Sequence, residues 1–118
     1  MMPFHFYDEK SAAGEGGDVV ITKGLETKDE LLGFLAQSIP LPAYFGNNWD
    51  ALEECLTEPD WLTRPHLKLI HQDIPLAGHP VEQKIYLEIL AASARMSSRV
   101  RIVFPERDRI RIQHLLSA

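Results

Sequence analysis

The chain has 118 residues, 45% hydrophobic and 25% charged, the balance of a single soluble globular domain long enough to bury a core without staples. Its single cysteine excludes an internal disulfide framework and fits a reducing compartment, and no stretch reaches the length of an apolar membrane helix. The net charge of −5 is uneven: residues 1–94 hold fifteen acids against six Lys or Arg, and residues 95–118 hold two against six.

An acidic body repels nucleic-acid phosphates and favours a basic protein partner. A basic tail suits an acidic surface, the chain's own included. The opening MMPFHFYDEK lacks a basic segment followed by a long apolar run, so no secretory signal is expected and the cytoplasm is the expected location.

In chain order, Phe4 and Phe6 alternate within a short candidate strand. Ser11 to Gly17 is small, polar and glycine-rich, which reads as a linker or flexible loop. Asp18 to Thr22, DVVIT, is β-branched and apolar enough for a buried strand. Thr27 and Glu30 have the spacing of a capping box, and Leu31, Phe34 and Leu35 then follow on one helical face, predicting a helix that ends near Ser38.

The stretch from Leu41 to Leu56, LPAYFGNNWDALEECL, organises the rest. Pro40 and Pro42 stop what precedes them. Gly46 permits a tight bend, Asn47 or Asn48 can cap a helix, and Asp50 complements the dipole of its first turn. The helix is therefore expected to start near Trp49. At about 100° per residue, Trp49, Leu52, Cys55 and Leu56 share one side, while Asp50, Glu53, Glu54, Thr57 and Glu58 share the other. Asp50 and Glu54 repel each other at i,i+4, and no Lys or Arg lies between Asp29 and Thr63 to relieve them. Such faces are commonly just solvated, but this one also suits a cationic partner. Cys55, on the apolar side, reads as a buried structural thiol.

Beyond it, Pro59 breaks the helix, and Trp61 suits either an interface anchor or packing over the core edge. Leu67 to Gln72 reads as a second strand. Pro80 suits a helical first turn, and Val81, Ile85, Ile89, Ala92 and Met96 recur at helical steps in a long helix expected to lie on the sheet. Arg99 to Phe104 is a further strand, parallel by virtue of that helix. Arg109 to Leu115 alternates Arg and Ile, which predicts an extra edge strand. The expected fold is α/β, a small, mainly parallel three-stranded sheet covered by helices, with that C-terminal edge strand. It divides the chain into an N-terminal extension (1–17), a domain (18–104) and a C-terminal extension (105–118).

Catalysis finds little purchase: Asp50 and Glu54 are paired carboxylates, but no histidine, nucleophile or phosphate loop lies near them in sequence. His5, His66, His71, His79 and His114 show no ligand spacing, and His71 with Asp73 is a weak pair, so neither metal nor cofactor is expected. The alternating tail arginines have no stacking platform for nucleic acid.

The run Pro42, Tyr44, Phe45, Gly46, Asn48, Asp50, Ala51, Leu52, Cys55, Leu56, Thr57 resembles the signature segment of the barstar family, intracellular inhibitors of the ribonuclease barnase. The resemblance implies the same α/β architecture and a basic ribonuclease, or another basic toxin, as partner. It implies that carboxylates on the helix occupy the cationic positions of a nuclease cleft without offering a bond to cleave. Asp50, Glu53 and Glu54 would stand in for phosphates, with Glu54 where the family places its central aspartate and Asp50 at a second acidic contact. Tyr44 would pack against an active-site side chain, and Asn48, Trp49 and Thr57 would frame the plug. Glu54 is one methylene longer than the family's aspartate, Glu53 replaces an aromatic, and Ala92 stands where the family has an acidic contact. These departures keep open the alternative of a barstar-like interaction or regulatory module with a non-nuclease partner.

Overall fold

The computed structural model describes residues 2–8, 19–42 and 45–117. Four strands, β1 (His5–Tyr7), β2 (Val19–Ile21), β3 (Leu67–His71) and β4 (Val100–Pro105), form one sheet in the order β1-β4-β3-β2. Every pairing is parallel, with Val19 opposite Leu69, Leu69 opposite Ile102 and His5 opposite Val103. Parallel neighbours need long crossovers. Those here are α1 (Lys28–Ser38) with α2 (Trp49–Thr57) between β2 and β3, and α3 (Pro80–Met96) between β3 and β4. Two right-handed crossovers stepping the same way across a sheet put their helices on one face, and α2 and α3 pack on each other.

The parallel α/β architecture is as expected, and the short N-terminal candidate strand forms over His5–Tyr7 as the fourth strand, while the expected C-terminal edge strand does not form. The C-terminal segment is no strand but a short 3-10 turn (Glu106–Asp108) leading into α4 (Arg109–Ser117). An edge strand would bury Ile110 and Ile112 together, whereas Ile112 is fully buried and Ile110 is 66% exposed, because residues two apart on a helix point to nearly opposite sides. The edge beside β4 is already taken by β1. Arg109 fastens the two termini, pairing with the Glu106 carboxylate at 2.9 Å and lying 4.1 Å over the Phe6 ring. The Ser11–Gly17 loop lies outside the described residues.

The capping box forms: the Thr27 hydroxyl accepts from the Glu30 N–H, and the Glu30 carboxylate accepts from the Thr27 N–H, each at 3.1 Å. Leu31, Leu32 and Leu35 of α1 are buried. The apolar stripe expected of α3 holds at the middle of the helix and fails at its ends: Ile89 is buried and Ile85 packs against the core, while Val81 and Met96 stand 74% and 68% exposed. The buried face also takes in Gln83, Tyr86, Leu87 and Leu90. Apolar residues occur on more than one side of this helix, so spacing alone did not choose the face. Gln83 is buried without penalty because its amide donates to the Pro75 carbonyl at 2.9 Å.

His71 is a core residue. Its Nδ1 lies 3.1 Å from the Val103 carbonyl and must donate to it, so Nε2 accepts from the Tyr86 hydroxyl at 2.7 Å. The ring stacks on Phe104 with centroids 4.0 Å apart. Burial, against weaker help from the Val103 and Leu69 backbone, pushes the imidazole from its ordinary 6.5 down to about 3. Arg99 is the other organising polar group. Its guanidinium donates to the carbonyls of Pro59, Leu62, Arg64 and Pro65, at 3.1, 2.7, 2.7 and 3.2 Å, and so shapes the α2–β3 loop. Trp61 packs against the core in that loop and donates its indole N–H to the Cys55 carbonyl at 2.8 Å. This matches the core-edge role.

Lysine cannot reproduce a planar fork with several fixed donors, so Arg99→Lys is expected to lower the unfolding free energy by about 2 kcal/mol, read by urea denaturation. The His71 pKa is lower folded than unfolded, so the unfolded chain binds the extra proton. Stability is complete above about pH 6.5 and falls as the pH drops towards 3, by about 1.4 kcal/mol per pH unit from this group. Urea titrations at pH 7, 6 and 5 should show this slope in the wild type and its loss in His71→Gln, whose overall stability is lower.

Candidate functional site

The loop before α2 bends at Asn47, which takes a left-handed φ of 53°, a conformation that Asn tolerates better than most residues. Gly46 has a different reason to be small: a Cβ there would come within 3.3 Å of the Asn48 amide. Asn48 is the cap, its side-chain oxygen accepting from the Ala51 N–H at 2.8 Å. Phe45 packs on the core and donates its N–H to the Pro42 carbonyl at 3.0 Å. Tyr44 lies outside the described residues.

From that cap, α2 presents two faces. Leu52, Cys55 and Leu56 are fully buried, whereas Asp50, Glu53 and Glu54 are exposed. Thr57 is half-buried and donates its hydroxyl to the Glu53 carbonyl at 2.7 Å, tightening the last turn. None of the three carboxylates makes an ion pair or side-chain hydrogen bond with a described residue. Asp50 sits at the favourable end of the helix dipole, but the last turn holds no basic residue. Glu53 and Glu54 approach the negative end, where an acid costs a few tenths of a kcal/mol.

Asp50 and Glu54 lie one turn apart, about 6 Å along the axis. The terminal helix leaves this face open, since α4 packs on α3 and its preceding turn. Three tail arginines are engaged elsewhere: Arg99 on the loop carbonyls, Arg107 on the Gln72 carbonyl at 2.8 Å, and Arg109 on Glu106 and Phe6.

Trp49 differs from the other expected contact residues. It is half-buried on the inner side of the first turn, 6.2 Å from the Tyr86 ring, and its indole N–H donates to the Glu82 carboxylate at 2.6 Å. Lys28 of α1 stands 5.7 Å above the ring. A cleft of about 200 Å³, lined by Thr27, Lys28, Asp29, His79 and Glu82, opens beside this contact. Glu82 and Lys28 were not legible as neighbours of this helix, because no local pattern links residues so far apart in sequence. Ala92 of α3 is half-buried and offers no polar group. Among the described residues no three His, Cys, Asp or Glu side chains gather as metal ligands, and no helix is long and apolar enough to cross a membrane.

A search of curated proteins finds no match. The family model described as Barstar (barnase inhibitor) matches residues 19–111, from the first residue of β2 into the first turn of α4, and includes the whole capped acidic helix. With most of its length matched in this way, the chain belongs to the Barstar family.

Proposed function

We propose that the chain is a cytoplasmic inhibitor of a cytotoxic, barnase-like ribonuclease, and that α2 with the loop before it plugs the enzyme's basic cleft. The observation that carries this reading is the exposed row Asp50, Glu53 and Glu54, carboxylates paired with no cation among the described residues, on a helix anchored through its buried side. A nuclease cleft must hold phosphate with cationic groups. Carboxylates fixed on a rigid helix can meet those groups with charge-assisted hydrogen bonds and present no phosphodiester to cleave. Because the helix is held before binding, little ordering entropy opposes association.

Each side chain then has a part. Glu54 takes the central cationic position and Asp50 the position one turn earlier, while Glu53 extends the negative row. Asn48 fixes the helix start, Thr57 its last turn, and Tyr44 packs against an active-site side chain. Trp49 frames the plug from its inner side. The buried Cys55, which forms no disulfide, suits a reducing compartment. A protein that binds in this way performs no turnover of its own.

The alternative, a regulatory module with another basic partner, draws its support from the substitutions at Glu53, Glu54 and Ala92. The basic tail adds less to it than its composition suggests, since Arg99, Arg107 and Arg109 serve internal contacts.

The test is ribonuclease activity of a barnase-type enzyme titrated with wild type, Glu54→Ala and the Asp50→Ala/Glu54→Ala double variant at low and moderate salt. Wild type should inhibit stoichiometrically, with affinity falling as salt rises. Glu54→Ala should weaken the complex by about 2 to 5 kcal/mol, since it strands buried cations on the partner, and the double variant should not inhibit. Absence of inhibition by folded wild type rejects this target, and equal inhibition by the double variant rejects α2 as the plug.

A further inference from the structure

We infer that Glu82, on a different helix from the acidic face, is the positioning residue of the plug: by accepting the Trp49 indole N–H it holds the first turn of α2 in its binding conformation. The inference rests on the inhibitor reading but concerns a residue that the reading does not use.

The geometry is specific. Glu82 lies in the first turn of α3 and Trp49 is the first residue of α2, so their 2.6 Å hydrogen bond ties the starts of two neighbouring helices. A carboxylate accepting from an indole N–H is a charge-assisted bond, shorter and stronger than a neutral one. It also fixes the rotation of the ring, because the indole has a single donor. One flank of the ring rests near Tyr86, which is fully buried and bonded to His71. Lys28 stands over the ring. Trp49 is therefore held through its edge and its faces, with Glu82 the only one of these three neighbours to bond its polar atom.

The consequence reaches the binding surface through the backbone. Asn48 and Asp50 flank Trp49 directly, so an indole tied to α3 restrains the backbone that carries both the cap and the first carboxylate. The Asn48 cap is a single side-chain bond to Ala51 on an exposed loop, and it needs a fixed neighbour to persist. Without Glu82 the first turn can fray, and only the fraction of molecules with it formed is competent to bind.

Charge and position can be separated by substitution. Glu82→Gln removes the negative charge but keeps an amide oxygen that accepts the indole N–H; Glu82→Ala removes both. Both lose the same favourable interaction with the α3 dipole, so any general change in α3 is common to the pair. A residue that attracts the partner by charge predicts equal losses in the two variants, and a positioning residue predicts rescue by glutamine.

The experiment combines inhibition of a barnase-type ribonuclease by wild type, Glu82→Ala and Glu82→Gln with hydrogen exchange of the Ala51 and Leu52 amides and the Trp49 indole N–H in the free proteins. Trp61→Phe assigns the indole signal. The expected result is inhibition weakened about tenfold or more in Glu82→Ala, with faster exchange at all three groups and both effects largely restored in Glu82→Gln. Inhibition by Glu82→Ala equal to wild type overturns the positioning role and leaves the inhibitor reading standing. Equal loss in the two variants overturns it in favour of direct charge attraction. If wild type itself does not inhibit, the ribonuclease reading fails and exchange alone decides. Faster first-turn exchange in Glu82→Ala but not in Glu82→Gln upholds the positioning role, and unchanged exchange removes it.

Discussion

A neutral imidazole buried in the core is the joint on which the layers of this molecule meet. His71 ends β3, donates to β4 at Val103, accepts from α3 at Tyr86 and stacks on Phe104, while its own carbonyl accepts from Tyr7 of β1 at 2.9 Å. A buried imidazole is tolerable only when both ring nitrogens are satisfied and the ring stays uncharged. These partners satisfy both. Burial in turn raises the Tyr86 hydroxyl far above its ordinary range, so it remains a donor. Tyr86 carries the register onward to Trp49, and so the acidic helix takes its position from the centre of the sheet.

The distribution of charge follows a related logic. Arginines near the chain end look in sequence like a basic surface, yet several close the fold upon itself. Arg99 gathers loop carbonyls that have no strand to pair with, and Arg109 joins α4 to β1 through Glu106 and Phe6. The carboxylates of α2 make no such contact with a described residue, and together they put charge of one sign on a helix anchored through its buried side.

Much of this was legible locally. The capping box at Thr27 and Glu30, the end of α1 just before Pro40, the start of α2 at Trp49 and its division into apolar and acidic faces depend on interactions within a few residues, and sequence spacing reports those directly. The strands at Val19, Leu67 and Val100 were legible because a strand buried in a parallel sheet is apolar almost throughout. The terminal segment was misread for a physical reason. Alternating Arg and Ile is compatible with period two, but whether a strand forms there depends on a free sheet edge, and β1 occupies it. The face of α3 was ambiguous in the same way, since a helix with apolar residues on several sides takes its orientation from its neighbours.

The sequence by itself determined the α/β class, the helix that carries Asp50, Glu53 and Glu54, and the resemblance that names a family, because caps, periodicity and short motifs are encoded by adjacent residues. Tertiary structure alone decided which cations are consumed internally, that Trp49 is anchored by Glu82, that His71 is a neutral core residue, and that β1 closes the sheet edge. Each of those depends on groups brought together from distant parts of the chain, and a hydrogen bond or a stacked ring has no signature in sequence until the fold sets the distance.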